Sequence, residues 1–173
     1  MGNVLERHAH RPFYATQKMD GFSMSFGNID GEFVAATRER LVDLNEDSPF
    51  ADAFRIGAVS KFNSDVVVQG ELCGPGIRGN RHGFAAVRFF AFDLLVDGQP
   101  AGFDALREFC IANGIETVPV IATDFTPSRE GCLAIARATQ GEGAVFRPLV
   151  EMQDEFQGRV SWKVFNPEYR WHH

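Results

Sequence analysis

The chain has 173 residues, 45% hydrophobic and 23% charged, the balance of a globular protein with a real core and not of a disordered one. Three widely spaced cysteines (Cys73, Cys110, Cys132) with no CxxC pair argue against a disulfide framework and against a cysteine zinc site. A net charge of −6 argues against a protein that coats nucleic acid by bulk electrostatics, although it leaves a local basic groove open.

The apolar runs are strand-sized and none is long enough to span a bilayer; MGNVLERHAHRPF at the start lacks the apolar stretch of a secretory signal. The expected compartment is the cytosol, with no membrane partner. Of the seventeen basic residues fourteen are arginine, and the lysines are Lys18, Lys61 and Lys163 alone. A lysine kept where arginine is otherwise preferred suits a task that guanidinium cannot do, since an amine can lose its proton and attack.

In chain order, residues 12–18 and 22–26 read as short strands around Met19-Asp20-Gly21. Asp30-Gly31 is a hairpin signal, with its second strand ending near Thr37. Ser48-Pro49 opens a helix running to about Phe62, with Ser48 as N-cap and Lys61 suiting the helix dipole at its end. Asp65 to Cys73 is a strand, residues 74–80 (GPGIRGN) a glycine-rich loop, and Phe84 to Val96 a long strand closed by Asp97-Gly98. A helix spans Phe103 to Asn113 and stops at Gly114, and a strand spans Thr117 to Ala122. Thr126-Pro127-Ser128 starts a helix ending near Thr139; strands at Gly143 to Leu149 and Arg159 to Phe165 complete the chain. Hairpin-linked strands with about three helices describe an α+β fold on antiparallel sheets, expected as a single domain over 1–173.

Gly74-Pro75-Gly76-Ile77-Arg78-Gly79 matches GxGxxG, and Asp93 lies nineteen residues beyond Gly74. A dinucleotide-binding reading fails on physical context: a strand is under way by Val87, which leaves no room for the crossover helix. Strand alternation is more informative. Val66, Val68 and Leu72 face one way and Gln69 and Glu71 the other; Glu142 sits at a strand entrance; Lys163 shares a face with Ser161 and Phe165. Each alone reads as a solvated sheet face. Together, two lysines and two glutamates beside glycines suit a nucleotide-phosphate site with covalent lysine chemistry. A cation such as Lys163 or a metal would help the amine shed its proton, carboxylates would hold ribose hydroxyls or magnesium, and the aromatic strand at 88–93 would stack on a base.

These motifs resemble the covalent nucleotidyltransferases, the superfamily of DNA ligases, RNA ligases and mRNA-capping enzymes. Lys18-Met19-Asp20-Gly21 is similar to the KxDG motif, and Arg38 to the arginine downstream of it. Gln69-Gly70-Glu71-Leu72 resembles motif III, Phe89-Phe90-Ala91-Phe92-Asp93 motif IIIa, Glu142-Gly143-Ala144-Val145-Phe146-Arg147 motif IV and Ser161-Trp162-Lys163-Val164 motif V. The stretch from Gln69 through GPGIRGN, with Thr117-Val118-Pro119-Val120, resembles ATP-dependent RNA ligases in particular; the likeness spans about residues 14–169.

The resemblance implies the ATP-grasp-like adenylyltransferase fold of ligases, with ATP and Mg2+ (or Mn2+) as cofactors. Lys18 would attack the α-phosphate of ATP to give lysyl-AMP and pyrophosphate. AMP would then pass to an RNA 5′-phosphate, and a 3′-hydroxyl would displace it, possible substrates including a nicked duplex. Glu71 would bind the ribose and Phe89 stack on adenine, with Phe90 or Phe92 taking that role if the register slips by one. Gln17 would meet the adenine edge, and Asp20 and Gly21 would belong to the nucleotide site. Glu142 would orient Lys18 or hold the metal, directly or through water. Lys163 would touch the α-phosphate, Arg38 a phosphate of ATP or RNA, and Arg78 and Arg81 the RNA backbone.

Relatives often carry KxK in motif V, whereas the second position here is Phe165. With Lys18 seventeen residues from the start and about eight residues after motif V, no accessory nucleic-acid-binding module fits, so a catalytic fragment or a minimal ligase is expected, with duplex grip supplied elsewhere. The alternatives are a DNA ligase, a capping-type enzyme, or a non-catalytic nucleotide- or RNA-binding domain of this fold. His8, His10, His82, His172 and His173 show no metal-ligand spacing, and Cys73 and Cys110 read as core thiols.

Overall fold

The computed structural model describes residues 2–43, 45–56 and 65–169. The described chain divides into two compact units, residues 2–19 with 119–169 and residues 20–118. Helices α1 (Gly2–His8), α2 (Pro49–Ile56), α3 (Phe103–Asn113) and α4 (Arg129–Arg137) accompany eleven strands, so the expected α+β class holds. The strands are β1 (Phe13–Gln17), β2 (Phe22–Ile29), β3 (Glu32–Thr37), β4 (Val66–Cys73), β5 (Arg88–Val96), β6 (Gln99–Pro100), β7 (Val120–Phe125), β8 (Gly143–Pro148), β9 (Gln153–Asp154), β10 (Gly158–Arg159) and β11 (Trp162–Phe165). No helix among the described residues is long and apolar enough to cross a membrane.

The first unit carries an antiparallel sheet in the order β11-β8-β1-β7 and the small hairpin β9-β10. Alternation turns Phe13 and Ala15 of β1, Ala144 and Phe146 of β8 and Trp162 of β11 into a core closed by Leu5 of α1 and by Cys132 and Ala136 of α4. The Phe13 and Trp162 rings lie 4.8 Å apart, and burying each such side chain contributes about 1.5–3 kcal/mol. Helix α4 begins at the expected Thr126-Pro127-Ser128 start, where the Gly131 N–H donates to the Ser128 hydroxyl at 3.0 Å.

The second unit is an antiparallel sheet in the order β3-β2-β4-β5-β6. Asp30 and Gly31 both take left-handed dihedrals (φ 53° and 81°), which matches the turn to the strand twist, as do Asp97 and Gly98 (φ 50° and 74°). Met24, Phe26, Val66, Val68, Leu72, Ala91 and Leu94 face the core, where Leu106 and Cys110 of α3 and Ala51 of α2 pack. The Ala51 N–H donates to the Ser48 hydroxyl at 3.2 Å, confirming that cap; the expected continuation of α2 to Phe62, with Lys61, lies outside the described residues, as do His172 and His173.

Four boundaries differ from the sequence reading. The strand expected from Phe84 begins at Arg88, because the Asn80 side chain takes both backbone groups of Phe84: its amide donates to the Phe84 carbonyl (2.8 Å) and its oxygen accepts the Phe84 N–H (3.0 Å). The strand expected over 117–122 is displaced to Val120–Phe125. Thr117 makes only an isolated parallel bridge to Ala91, and Pro119 has no N–H to continue it. The strand expected from Arg159 splits, since Arg159 pairs with Gln153 and β11 starts at Trp162. Helix α1, with no counterpart in the sequence reading, is held by Asp154, which accepts from Arg7 at 2.8 and 2.9 Å and contacts His8 Nε2 at 2.8 Å.

The Arg7 and His8 hydrogen bonds, opposed by burial and helped by the Phe156 N–H, hold the Asp154 carboxyl well below its ordinary value. A depressed carboxylate stabilises the fold fully above its unfolded value near 3.9 and loses that contribution as pH falls toward the folded value. Asp154→Asn should therefore lower the thermal midpoint at neutral pH, and the gap to the wild type should shrink below about pH 4 in melts followed by circular dichroism.

Candidate functional site

The chemistry-bearing residues fall into two groups, one in each compact unit. In the first unit β1 ends at Gln17, and the Lys18 N–H donates to the Gly143 carbonyl at 2.8 Å, so Lys18 continues the sheet beside the entrance of β8. The residue before that entrance is Glu142, 6% exposed, and its carboxylate forms an ion pair with the Lys18 ammonium. Gly143 sits at φ 146°, and a Cβ there would lie 2.1 Å from the Val164 carbonyl oxygen. Only glycine lets β11 approach closely enough to pair Phe165 with Gly143.

The Phe165 ring centroid lies 5.5 Å from Lys18 Nζ, within cation–π range. Lys163 pairs with Val145, which pairs with Thr16; strand alternation therefore puts Lys163 and Phe165 on the sheet face that carries Lys18. Gln17 packs against Gly141, whose added Cβ would meet Gln17 Nε2 at 2.7 Å. Lys18, Glu142, Lys163 and Gln17 thus gather at one end of one sheet.

In the second unit Asp20 and Gly21 precede β2. A Cβ on Gly21 would lie 2.1 Å from the Leu72 carbonyl oxygen, so the glycine of KxDG is required by its approach to β4. The Gly21 N–H donates to Glu71 Oε1 at 3.1 Å. The Asp20 carboxylate pairs with Arg81, and its N–H donates to His82 Nε2 at 3.1 Å. Burial holds the His82 imidazole below its ordinary value, Asp20 opposing, which suits the neutral ring that accepts this bond. Burial, then Glu71 and Asp20, push the Cys73 thiol up to about 12, an inert thiol as the sequence suggests. His82 is the participant the sequence reading set aside; its signal, adjacency to Arg81 after a glycine loop, is visible only with Asp20 in place.

Register decides which aromatic ring lies near Glu71. Phe90 pairs directly with Glu71, and Phe89 pairs with Leu72 on the core face. There the Phe89 ring lies 4.8 Å from that of Phe26 and rests over Gly70. A bulge then leaves Phe92 as an extra residue between Ala91, opposite Gly70, and Asp93, opposite Gln69. Phe90 is 5% exposed with Phe84 and Arg88 against it, whereas Phe92 is half-buried.

Arg38 follows β3 directly, is exposed, and makes no ion pair among the described residues. Arg78 is exposed over the Phe22 ring. No cluster of three or more His, Cys, Asp or Glu able to cage a metal occurs among the described residues.

The RNA ligase family model matches residues 11–165. A search of curated proteins finds no match. Among solved structures the chain is similar to Naegleria gruberi RNA ligase: to a mutant without ligand (TM-score 0.80, 21% identity, 94% of this chain and 51% of that one) and to a mutant with ATP and Mn (0.77, 23%, 94% and 52%). It is also similar to that ligase with pyrophosphate (0.76, 23%, 95% and 53%). At such identities the likeness is one of fold, and the chain spans about half the length of these structures. With the family's pattern matched from residue 11 to residue 165 and the fold in agreement, the chain belongs to the RNA ligase family.

Proposed function

We propose that this chain is the adenylyltransferase domain of an ATP-dependent RNA ligase, and that Lys18 is its nucleophile. The observation that carries the reading is the pairing of Lys18 with a carboxylate, Glu142, which is buried at a strand entrance where only the lysine side chain is needed to neutralise it. An arginine would pair equally well and could not attack, so the lysine identity has a chemical reason.

The Lys18 amine sheds a proton, its nitrogen forms a bond to the α-phosphorus of ATP, and the bond from that phosphorus to the bridging oxygen breaks, releasing pyrophosphate. AMP then moves to an RNA 5′-phosphate, and attack by a 3′-hydroxyl joins the strands and frees AMP. Glu142 orients the amine before attack. Lys163, on the same sheet face, balances charge at the α-phosphate, and Gln17 reads the adenine edge. Glu71, which accepts from Gly21, binds the ribose hydroxyls. Of the aromatic rings in β5, Phe92 is the one assigned to adenine, because Phe89 belongs to the core and Phe90 is covered. Asp20 and Gly21 shape the turn through Arg81, His82 and Glu71, while Arg38 meets a phosphate of ATP or RNA and Arg78 the RNA backbone.

A hard divalent cation held by one carboxylate and by substrate phosphates, without a protein cage, suits Mg2+ or Mn2+, and Glu142 is the residue that would hold it. When bound, the metal neutralises phosphate charge. The three cysteines are free and buried, in keeping with a reducing compartment, and we read the enzyme as cytosolic.

Incubated with ATP and Mg2+, the protein should gain a covalent AMP by intact mass spectrometry. Lys18→Ala and Lys18→Arg should both abolish it; GTP labelling in place of ATP would point to a capping-type enzyme, and no labelling would end the reading. Glu71→Ala should slow adenylylation about 10–100-fold and Lys163→Ala about 10²–10³-fold in single-turnover assays, with thermal midpoints near the wild type. Phe92→Ala should raise the ATP concentration needed for half-maximal labelling about tenfold. Phe89→Leu should change stability instead, and the reverse result would restore Phe89 as the stacking ring.

A further inference from the structure

The proposed nucleotide residues leave one end of the five-stranded sheet unexplained. The antiparallel order brings the start of β2, the end of β3 and the end of β4 to the same end, and with them Phe22, Arg38 and the loop carrying Arg78. Phe22 is 40% exposed, on the same side as Met24 and Phe26 and therefore on the face opposite Glu71. Its ring stands 5.6 Å from that of Phe50, edge to face, which fixes its orientation. The Arg78 guanidinium lies 5.1 Å from the Phe22 ring centroid.

Five arginines are neutralised by carboxylates of the chain: Arg7 by Asp154, Arg40 by Glu46, Arg81 by Asp20, Arg88 by Glu116 and Arg159 by Glu151. Arg78 has no carboxylate among the described residues, and neither does Arg38. Arg78 also holds a left-handed backbone (φ 45°), an uncommon conformation for a residue with a side chain, and that conformation carries its guanidinium toward Phe22. Glu39, next to Arg38, is the nearby acid in sequence, and its backbone N–H is tied to the Thr37 hydroxyl.

Resting on the ligase reading for the identity of its ligand, we propose that Phe22 and Arg78 form a stacking platform for an unpaired RNA base, with Arg38 and Arg78 meeting the flanking phosphates. A flat ring with one planar cation against it offers a π-face to any base and a fixed charge to the backbone, the combination that binds single strands with little sequence preference. A duplex keeps its bases stacked on one another and cannot use the ring. The Phe22 ring lies on the face opposite Glu71, so the ring grips the strand and takes no part in ATP binding.

The test is fluorescence anisotropy of the full chain with a short 5′-labelled single-stranded RNA and with the same sequence as a duplex, across a salt series. Phe22→Ala should weaken single-strand binding about tenfold, leave the salt slope unchanged and leave duplex binding as it was; Phe22→Trp should restore it. Arg78→Ala should weaken binding and reduce the salt slope by about 1, while Arg78→Lys should recover the slope and not the affinity. Thermal midpoints of all four variants serve to exclude unfolding. Single-strand binding unaltered by Phe22→Ala, or an equal loss on duplex, overturns the proposal and makes the ring a cover for some other surface. Loss of AMP labelling in the wild type would instead defeat the ligase reading, a distinct outcome read by a distinct assay.

Discussion

One buried carboxylate organises the surroundings of Lys18. Glu142 is removed from water at the mouth of β8, where an unpaired charge would cost several kcal/mol, and the Lys18 ammonium is the group that answers it. The pairing is built into the backbone: the Lys18 N–H donates to the Gly143 carbonyl, and the Asn166 N–H donates to the Glu142 carbonyl at 2.9 Å. Gly143 allows both, since any side chain there would strike β11. The glycine between motif residues is thus a packing requirement that places chemistry, and the sheet end would open if it were lost.

The KxDG signature divides between the two compact units, Lys18 and Met19 in one and Asp20 and Gly21 in the other. Its four residues therefore do different physical work. Lys18 is engaged by Glu142; Asp20 and Gly21 are engaged by Arg81, His82 and Glu71 within the second sheet's own unit. The four residues are thus a lysine paired with Glu142 followed by an aspartate and a glycine that anchor the turn into β2.

What the sequence makes legible is what short-range rules govern. The Asp-Gly hairpins, the Ser48 cap, the helix start at Ser128, the stop at Gly114 and the alternation that separates Glu71 from Leu72 depend on residues close in sequence, and each is present. The failures come from groups distant in sequence or from a broken period. An extra residue at Phe92 shifts the parity of β5, which no period-2 pattern can register, so that Ala91 and Leu94, three positions apart, face the same core. Asn80 delays β5 by claiming the backbone of Phe84, and Pro119 hands the chain from a bridge with Ala91 to pairing with β1. The gathering of Lys18, Glu142 and Lys163 was legible because motif order constrains strand ends; the partnership of Asp20 with His82, sixty-two residues away, had no local signature.

An overall charge of −6 sets a further condition on any nucleic-acid partner. Bulk attraction is disfavoured, and five of the fourteen arginines pair with carboxylates of the chain itself. The proposed strand contact draws on local cations, Arg38 and Arg78, and on interactions insensitive to salt. Burial of a base against an aromatic face is such an interaction, because it depends on contact and dispersion and releases no counterions. The proposed platform would therefore select single strands over duplexes by geometry instead of by charge.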